Sequence, residues 1–285
     1  MNTDEFEDCL IALRPRLHRY CARMTGSAVH GEDVLQDALV KALNARAQGA
    51  EVDNLEGWLF RIAHNASLDF LRERSRSTVV PLTEDLEAPL IPEADVVAIS
   101  FQTFLRIPEL QRCAVILKDV LGHSVEEIAD IADCTPAAAK SALQRGRAAL
   151  RQLAQQFDDT RLPLMSDAAR QKMATYVRLF QSGDFNSIRA MLADDVKLDL
   201  VNRLQLEGRD KIGSYFTRYA EEAKWRFALG AVEGQPAMLV FDSAGPMERP
   251  AHFVLIDWPE HRIIKIRDFL FAPYVLEAIE WVRLG

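Results

Sequence analysis

Apolar residues recur at helical spacing through the first part of the chain. In GEDVLQDALVKALNARA, residues 31–47, apolar pairs return every four positions. The stretch LEGWLFRIAHNASLDFLRERSR, residues 55–76, places Leu59, Ile62, Ala63, Ala66 and Phe70 on one face. Both patterns are typical of helices that bury one side, so the sequence predicts a helical block here.

Two further helical stretches follow each other closely. SVEEIADIA, residues 124–132, begins with the capping-box pair Ser124 and Glu127. After the short turn DCTP comes TPAAAKSALQRGRAALRQL, residues 135–153, with Thr135 as a good N-cap. The two stretches predict a helix-turn-helix, for which a plain helical hairpin is the alternative.

The pattern changes near residue 164. Residues 166–201 predict a helix, a Gly-Asp turn, a short helix and a strand, and residues 207–223 predict another helix. Alternating apolar and polar positions then predict strands within 224–242, 251–258 and 262–270. This third block is therefore expected to be α+β.

Two breaks divide the chain. STVVPLTEDLEAPLIPEAD, residues 77–95, has three prolines, five acids and little periodicity, which is typical of a linker. A second break lies at 157–167. The predicted segments are 1–76, an acidic linker at 77–97, a helix-turn-helix block at 98–156, and an α+β domain at 164–285.

The total charge of the chain argues against a nucleic-acid partner, but the distribution of charge along the chain favours one. The 285 residues carry a net charge of −8, but much of the excess acid lies in the linker. Residues 140–151 hold four bases and no acid. The predicted inward face of this helix is Ala139, Leu143, Gly146, Leu150 and Leu153. The opposite face is Lys140, Ser141, Gln144, Arg145, Arg147 and Arg151.

Two faces could bind DNA. The second helix of a helix-turn-helix lies in the major groove, where Lys, Ser, Gln and Arg suit base edges and phosphates. On the 55–76 helix, Trp58, Arg61, Asn65 and Arg72 share a face that could stack on and hydrogen-bond an unpaired base. The alternative for the second face is a packing tryptophan with solvated polar neighbours.

Other classes of protein find little support. No apolar run approaches the length of a membrane span, and the acidic N-terminus is unlike a secretory signal. The four scattered cysteines predict reduced thiols in a cytoplasmic protein. The spacing of His18 and Cys21 is ascribed to burial or chance rather than to metal binding. Neither a metal nor a cofactor is expected.

Three phrases together resemble the extracytoplasmic-function (ECF) type of sigma-70 RNA polymerase sigma factors. EDVLQDALVKA (32–42) resembles region 2.2, which docks on the clamp coiled coil of core RNA polymerase. WLFRIAHNASLDFLRERSR (58–76) resembles regions 2.3 and 2.4, which melt and read the −10 element. Residues 107–153 resemble region 4, which reads the −35 element. The resemblance covers about 10–156 and implies two all-α sigma domains.

The resemblance assigns roles to particular residues. Asn65 would help hold a flipped −10 base, within a surface that includes Arg61 and Arg72. The −35 contacts would be Lys118, Lys140, Ser141, Gln144 and Arg145, with Arg147 on phosphate. The core polymerase contacts would be Glu32, Asp33, Gln36 and Asp37. Where the family often has an arginine after the Lys-Ser pair, this chain has Ala142, which implies a missing phosphate contact.

The third block resembles the SnoaL-like domains of the NTF2-like superfamily, whose curved sheet and helices form a cone around a pocket. GDFNSIRAMLADDV (183–196) carries most of the likeness, which covers about 164–285. ECF sigma factors with such an extension form subgroups in which it is thought to tune the sigma domains in cis. The resemblance therefore implies a multidomain regulator of transcription, with core RNA polymerase and promoter DNA as partners.

One pair of polar residues could give the third block a chemistry of its own. His252 alternates with Val254, and Asp268 alternates with Ile266, so both polar groups lie on apolar strand faces. They could perform acid–base chemistry as in SnoaL-type cyclases and isomerases, line a pocket for a small-molecule ligand, or be a buried pair without chemistry. The leading interpretation is a sigma factor that is not an enzyme. The alternatives are an ordinary two-domain DNA-binding regulator and a cyclase or isomerase with a DNA-binding head.

Overall fold

The structure, a computed structural model, describes residues 3–76, 100–155, 166–222, 224–277 and 279–284. The predicted acidic linker at 77–97 lies outside these residues. The chain divides into two units, Met1–Asp159 and Thr160–Gly285. None of the helices in the described ranges is both long and apolar enough to cross a membrane.

The first unit is helical, as its periodicity predicts. Its helices are α1 (Thr3–Thr25), α2 (Ala28–Ala47), α3 (Leu55–Arg76), α4 (Phe101–Phe104), α5 (Glu109–Val115), α6 (Val125–Ile131) and α7 (Pro136–Gln155). Helix α5 continues directly into a π-helical turn, Ile116–Val120. We call α1–α3 the first half of this unit and α4–α7 the second half.

Local hydrogen bonds set the boundaries of the helix-turn-helix. The capping box is present, because the Ser124 hydroxyl accepts from the Glu127 N–H while the Glu127 carboxylate accepts from the Ser124 N–H. Thr135 Oγ1 accepts from the N–H of Ala138, 3.2 Å away, at the start of α7. Helix α7 then packs closely on α5 at Gly146, where a Cβ would lie only 2.8 Å from the carbonyl oxygen of Gln111.

A single hydrophobic core joins the two halves of the first unit. Buried side chains from each of α1–α7 form one continuous cluster. Its largest members include Tyr20 on α1, Phe60 on α3 and Phe104 on α4, all fully buried. The second half therefore packs on the first as part of the same hydrophobic interior.

Buried polar contacts also connect the two halves. Arg112 Nη1 on α5 donates to the carbonyl oxygen of Met24 at 2.6 Å, and its Nη2 donates to that of Ile107 at 3.1 Å. Gln102 Nε2 on α4 donates to the carbonyl oxygen of Gly26 at 2.6 Å. The carbonyls of Met24 and Gly26 are at the end of α1 and just beyond it, so these two contacts cross between the halves and satisfy acceptors that the helix leaves unpaired, whereas the contact with Ile107 is within the second half.

The second unit is a mixed sheet with helices, which confirms the α+β class. Its helices are α8 (Asp167–Ser182), α9 (Phe185–Met191) and α10 (Arg209–Glu221), with a 3₁₀ turn at Pro273–Glu277. Its strands are β1 (Leu192–Leu200), β2 (Leu204–Glu207), β3 (Trp225–Val232), β4 (Gln235–Asp242), β5 (His252–Asp257), β6 (Ile263–Asp268) and β7 (Trp281–Arg283).

The sheet order is β2-β1-β6-β5-β4-β3-β7, and β1 and β6 are its parallel pair. The β3–β4 hairpin turns at Glu233 and Gly234, whose φ values of 48° and 76° match the two positive angles of a type I′ turn. Helices α8–α10 contribute Tyr176, Phe180, Ile188 and Phe216 to a core that they share with the strands. Asp268, at the end of β6, is thus placed against a helix-covered face.

Replacing Arg112 by methionine should destabilise the first unit. The substitution keeps much of the buried side-chain volume but leaves the carbonyls of Met24 and Ile107 without their donor, which should cost about 3 kcal/mol. Urea unfolding followed by circular dichroism measures the loss. The exposed Arg106, changed to methionine as a control, should alter the unfolding free energy by less than about 0.5 kcal/mol. Equal losses in the two variants would contradict this account of Arg112.

Candidate nucleic-acid interface and pocket

The three predicted DNA-contacting residues of α3 are all exposed. Arg61 and Asn65 lie one helical turn apart, and Arg72 is two turns further along the same helix. Leu59 and Ala63, on the inward side, are buried. The helix thus offers solvent a polar surface of cations and an amide.

Trp58 differs from its expected position. It is half-buried and packs against the hydrophobic core of the first unit. Its ring therefore has less free surface for stacking on a base than the sequence indicated. Arg72 lies 3.5 Å from the carboxylate of Asp69, which is also 3.7 Å from Lys41 Nζ, but these groups are well exposed and such pairs hold side chains only weakly.

Helix α7 presents the predicted polar face only in its first half; Arg151, predicted on the same face, is buried instead. Lys140, Ser141, Gln144 and Arg145 are all exposed. On the other side Ala139, Leu143 and Leu150 are buried in the core of the first unit. The four exposed residues span less than two turns of the helix, so their side chains could reach neighbouring base pairs in one groove.

Two other predicted contacts have a different setting. Arg147 forms a two-bonded ion pair with Asp119 in the π-helical turn, with Nε 2.9 Å from Oδ2. Asp119 is almost fully buried within this pair. Lys118, on the same turn, is half-buried. In this arrangement Arg147 neutralises a carboxylate of its own chain, so its guanidinium is less available to a phosphate.

Ala142 requires a correction. The family resemblance suggested that an alanine here removes a phosphate contact, but Ala142 is fully buried in the core of the first unit. An arginine at 142 would have to place its charge in that core. In this packing the position faces away from the exposed surface of Lys140, Ser141, Gln144 and Arg145.

The predicted polymerase contacts on α2 divide by exposure. Glu32 is fully buried and ion-pairs with Arg14, whereas Asp33 and Gln36 are half-buried and Asp37 is exposed. Hydrophobic side chains that the sequence analysis did not single out are also exposed on α2. They are Val40, 55% exposed, and Leu43, 45% exposed. Val40, Leu43 and Asp37 lie within two turns of α2, so this part of the helix offers solvent a small apolar surface beside an acid.

In the second unit the structure brings His252 and Asp268 together through a tyrosine. Tyr219 on α10 donates to Asp268 Oδ2 at 2.7 Å, and its hydroxyl lies 2.8 Å from His252 Nε2. Tyr215, one turn earlier on α10, donates to the same carboxylate oxygen at 3.0 Å. The backbone N–H of Leu270 donates to Oδ1 at 2.9 Å. Sequence patterning had not indicated the tyrosines.

Burial determines the charge states in this cluster. Desolvation, followed by the nearby Asp268 charge, holds the pKa of Tyr215 and of Tyr219 well above its usual value. Desolvation also lowers the pKa of His252. The tyrosines and the histidine are therefore neutral at neutral pH, and the carboxyl group of Asp268 accepts three hydrogen bonds in their midst.

A pocket opens beside this cluster. It has a cavity volume of about 90 Å³ and is open to solvent at its mouth. Asp268, Tyr215 and Tyr219 line it together with side chains from β1, β2, α10 and the segment after β6. His252 is not among the lining residues; it lies behind Tyr219. Of the predicted pair, Asp268 is the member that faces the pocket.

Comparison with known proteins identifies the first unit. Family models of Sigma-70 region 2 and Sigma-70 region 4 match residues 10–77 and 102–150. The RNA polymerase sigma factor CarQ of Myxococcus xanthus is 31% identical over 156 residues, which cover 53% of this chain and 89% of CarQ. The ECF RNA polymerase sigma factor SigM of Mycobacterium tuberculosis (strain H37Rv) is 32% identical over 140 residues, which cover 48% of this chain and 71% of SigM. The chain belongs to the ECF sigma factors of the sigma-70 family.

The likeness of this sigma factor to its relatives extends into the second unit. The ECF RNA polymerase sigma factor SigG of Mycobacterium tuberculosis (strain H37Rv) is 25% identical over 291 residues, covering 90% of this chain and 79% of SigG. Among solved structures, an NTF2-like protein of unknown function from Cytophaga hutchinsonii is similar. It is 16% identical with a TM-score of 0.26, and the match covers 34% of this chain and 95% of that chain.

A buried histidine connects helices of this sigma factor. The Tyr20 hydroxyl on α1 lies 2.7 Å from Nδ1 of His64 on α3 and 3.3 Å from Sγ of Cys113 on α5. Burial, and to a lesser degree the charge of Arg72, lowers the pKa of His64 from 6.5 to about 4. His64 is thus neutral when the protein is folded at neutral pH.

Acid should weaken the first unit through His64. Because its pKa is lower in the folded state, the unfolded chain takes up a proton first, so stability present above pH 6.5 is lost as the pH falls toward 4. The loss through this residue should be about 3 kcal/mol. Urea unfolding from pH 7.5 to 4 should therefore show a shallower decline for His64→Gln, which cannot titrate. The exposed His261, changed to glutamine as a control, should leave the dependence of the unfolding free energy on pH as it is in the wild type. If His64→Gln also shows the wild-type dependence, the loss of stability in acid does not come from His64.

Proposed function

We propose that this sigma factor binds core RNA polymerase and directs promoter-specific initiation, with α3 reading the −10 element and α7 reading the −35 element. The observation that carries the proposal is the exposed Lys140–Arg145 face of α7, opposite a side that is buried in the core. Membership of the ECF family supports the polymerase partner.

The helix-turn-helix geometry supports duplex reading by α7. In this motif the second helix enters the major groove with its N-terminal turns near base edges. Lys140, Ser141, Gln144 and Arg145 occupy the first half of α7 and are exposed. Gln144 suits adenine, and Arg145 suits guanine or a phosphate.

For α3, the exposed Asn65 between Arg61 and Arg72 supports capture of an unpaired base. An amide can pair with the Watson–Crick edge of an extruded base, and the flanking guanidiniums can bind the phosphates of a single strand. Since Trp58 is half-buried, hydrogen bonding rather than stacking would supply most of this contact.

The α2 surface supports docking on polymerase. Its exposed members are Asp37, Val40 and Leu43, which combine an acid with apolar area. A regulator that acted alone on duplex DNA would not require this surface. It therefore favours the sigma-factor function over an ordinary DNA-binding regulator.

Promoter binding would require the first unit to open. A compact unit of this size has a radius of gyration of about 15 Å and is about 40 Å across. The centres of −10 and −35 elements are about 25 base pairs apart, which is about 85 Å of duplex. The two halves, joined by one core, would therefore have to separate when polymerase and promoter are engaged together.

We further propose that the second unit regulates the sigma domains in cis. The match to SigG, which covers 90% of this chain, supports a function of the second unit within a sigma factor. To regulate, the second unit must contribute different interaction energies in the closed and open states of the first unit. The alternative of acid–base catalysis has less support, because His252 lies behind Tyr219 and does not line the pocket, so the predicted His–Asp pair does not face one cavity together.

Run-off transcription with purified core polymerase tests the main proposal. On a genomic promoter library, the full-length protein should yield promoter-specific transcripts, and Asn65→Ala and Arg145→Ala should each reduce them about tenfold or more, since a good base contact contributes about 1–3 kcal/mol. Arg170→Ala, an exposed cation of α8, should have no effect. If the protein binds duplex DNA in the absence of core enzyme but yields no transcripts in its presence, the result would instead support an ordinary DNA-binding regulator.

The docking surface is tested separately by affinity for core polymerase. Val40→Lys should weaken binding of the full-length protein to core enzyme about tenfold or more, because a charge replaces apolar area at the centre of the contact. Ile264→Lys, at another exposed apolar position, on β6, is the control and should bind as the wild type does. The proposed surface is wrong if the two variants behave alike in a fluorescence titration.

A further inference from the structure

We propose that the pocket beside Asp268 binds a small, neutral, mostly apolar molecule through a hydroxyl group that donates a hydrogen bond to the Asp268–Tyr215–Tyr219 cluster. This assigns a ligand class to the second unit. It goes beyond the proposed sigma function and does not depend on it, because binding can be measured without polymerase or DNA.

The walls of the pocket favour an apolar body. They are formed mainly by Leu198, Leu200, Leu204, Leu206, Leu270 and Phe271. Leu204 and Phe271 are also among the exposed large hydrophobic residues, at 38% and 37%. Apolar area that remains open to water at a concave site is what a small apolar ligand covers on binding.

The polar wall favours a hydrogen-bond donor on the ligand. Asp268 and the two tyrosines are buried, and both tyrosine hydroxyls direct their protons to the carboxylate. A carboxylate offers about four acceptor positions, of which three are filled by Tyr215, Tyr219 and the N–H of Leu270. The Tyr219 oxygen already accepts from His252 Nε2–H, because its own proton goes to Asp268. The acceptor capacity that remains, on the carboxylate and on the Tyr215 oxygen, can be used only by a group that donates.

Charge favours a neutral donor. A ligand carboxylate has only acceptor oxygens, so it would face the acceptor oxygens of Asp268 with no proton to donate. An ammonium group would lose its hydration among leucines and would share the pocket with the guanidinium of Arg218, which is at the rim. A hydroxyl avoids both penalties and still donates to the cluster.

Three molecules with one ring system and different head groups test the proposal. Equilibrium dialysis of the full-length protein at pH 7 should give saturable binding of 2-naphthol, with a Kd at least tenfold lower than those of 2-naphthoate and 2-naphthylmethylammonium. Binding of either charged analogue as tight as that of the naphthol would overturn the assigned class, and so would no saturable binding of the naphthol.

Variants locate the site. Leu204→Trp places an indole ring at the mouth of the pocket and should weaken naphthol binding tenfold or more. Because Leu204 is exposed, the larger side chain should not disturb the fold. Ile264→Trp makes the same kind of change at a similarly exposed position outside the pocket and should stay within twofold of the wild type. If Leu204→Trp binds within threefold of the wild type, the naphthol occupies another site and the proposal is wrong. Failure of the transcription assays would leave these binding results unaffected.

Discussion

The continuous hydrophobic core of the first unit is the constraint on which the other features of its helices depend. It contains side chains from both halves, and within it Arg112 donates to the carbonyl of Met24 at the end of α1. Because one core orients both α3 and α7, burial determines which face of each helix reaches solvent. Asn65 and Arg145 are exposed because the opposite faces of α3 and α7 are buried in that core.

An acidic protein can present basic surfaces when its own acids are arranged to allow it. The net charge is −8, yet Lys140 and Arg145 stand on a helix segment without acids. Two buried acids in the first unit, Glu32 and Asp119, are each paired with an arginine, so neither is exposed to repel a phosphate. Local pairing therefore matters more here than total charge.

Much of the fold follows from local sequence, and much of the site does not. The bounds of α3 and the cap of α6 follow from apolar spacing and from Ser124 and Glu127, which act within a few residues. The burial of Glu32 depends on Arg14, and that of Ala142 on helices distant in sequence, so periodicity on one helix could not reveal either. Likewise, strand alternation placed Asp268 on an inward face, but the tyrosines that surround it come from another element about fifty residues away.

The pairing of Arg147 with Asp119 bears on how this protein would respond to changes in cellular ionic strength. Of the four bases between 140 and 151, Arg147 is paired and Arg151 is buried, which leaves Lys140 and Arg145 exposed on α7. For each phosphate contact, the affinity for DNA falls about 3.5-fold when the salt concentration rises fourfold. A surface with two fewer phosphate contacts therefore loses roughly tenfold less affinity over the same rise in salt. Recognition by α7 would then rest more on matching base edges than on counterion release, and it would persist when osmotic stress raises the internal salt concentration.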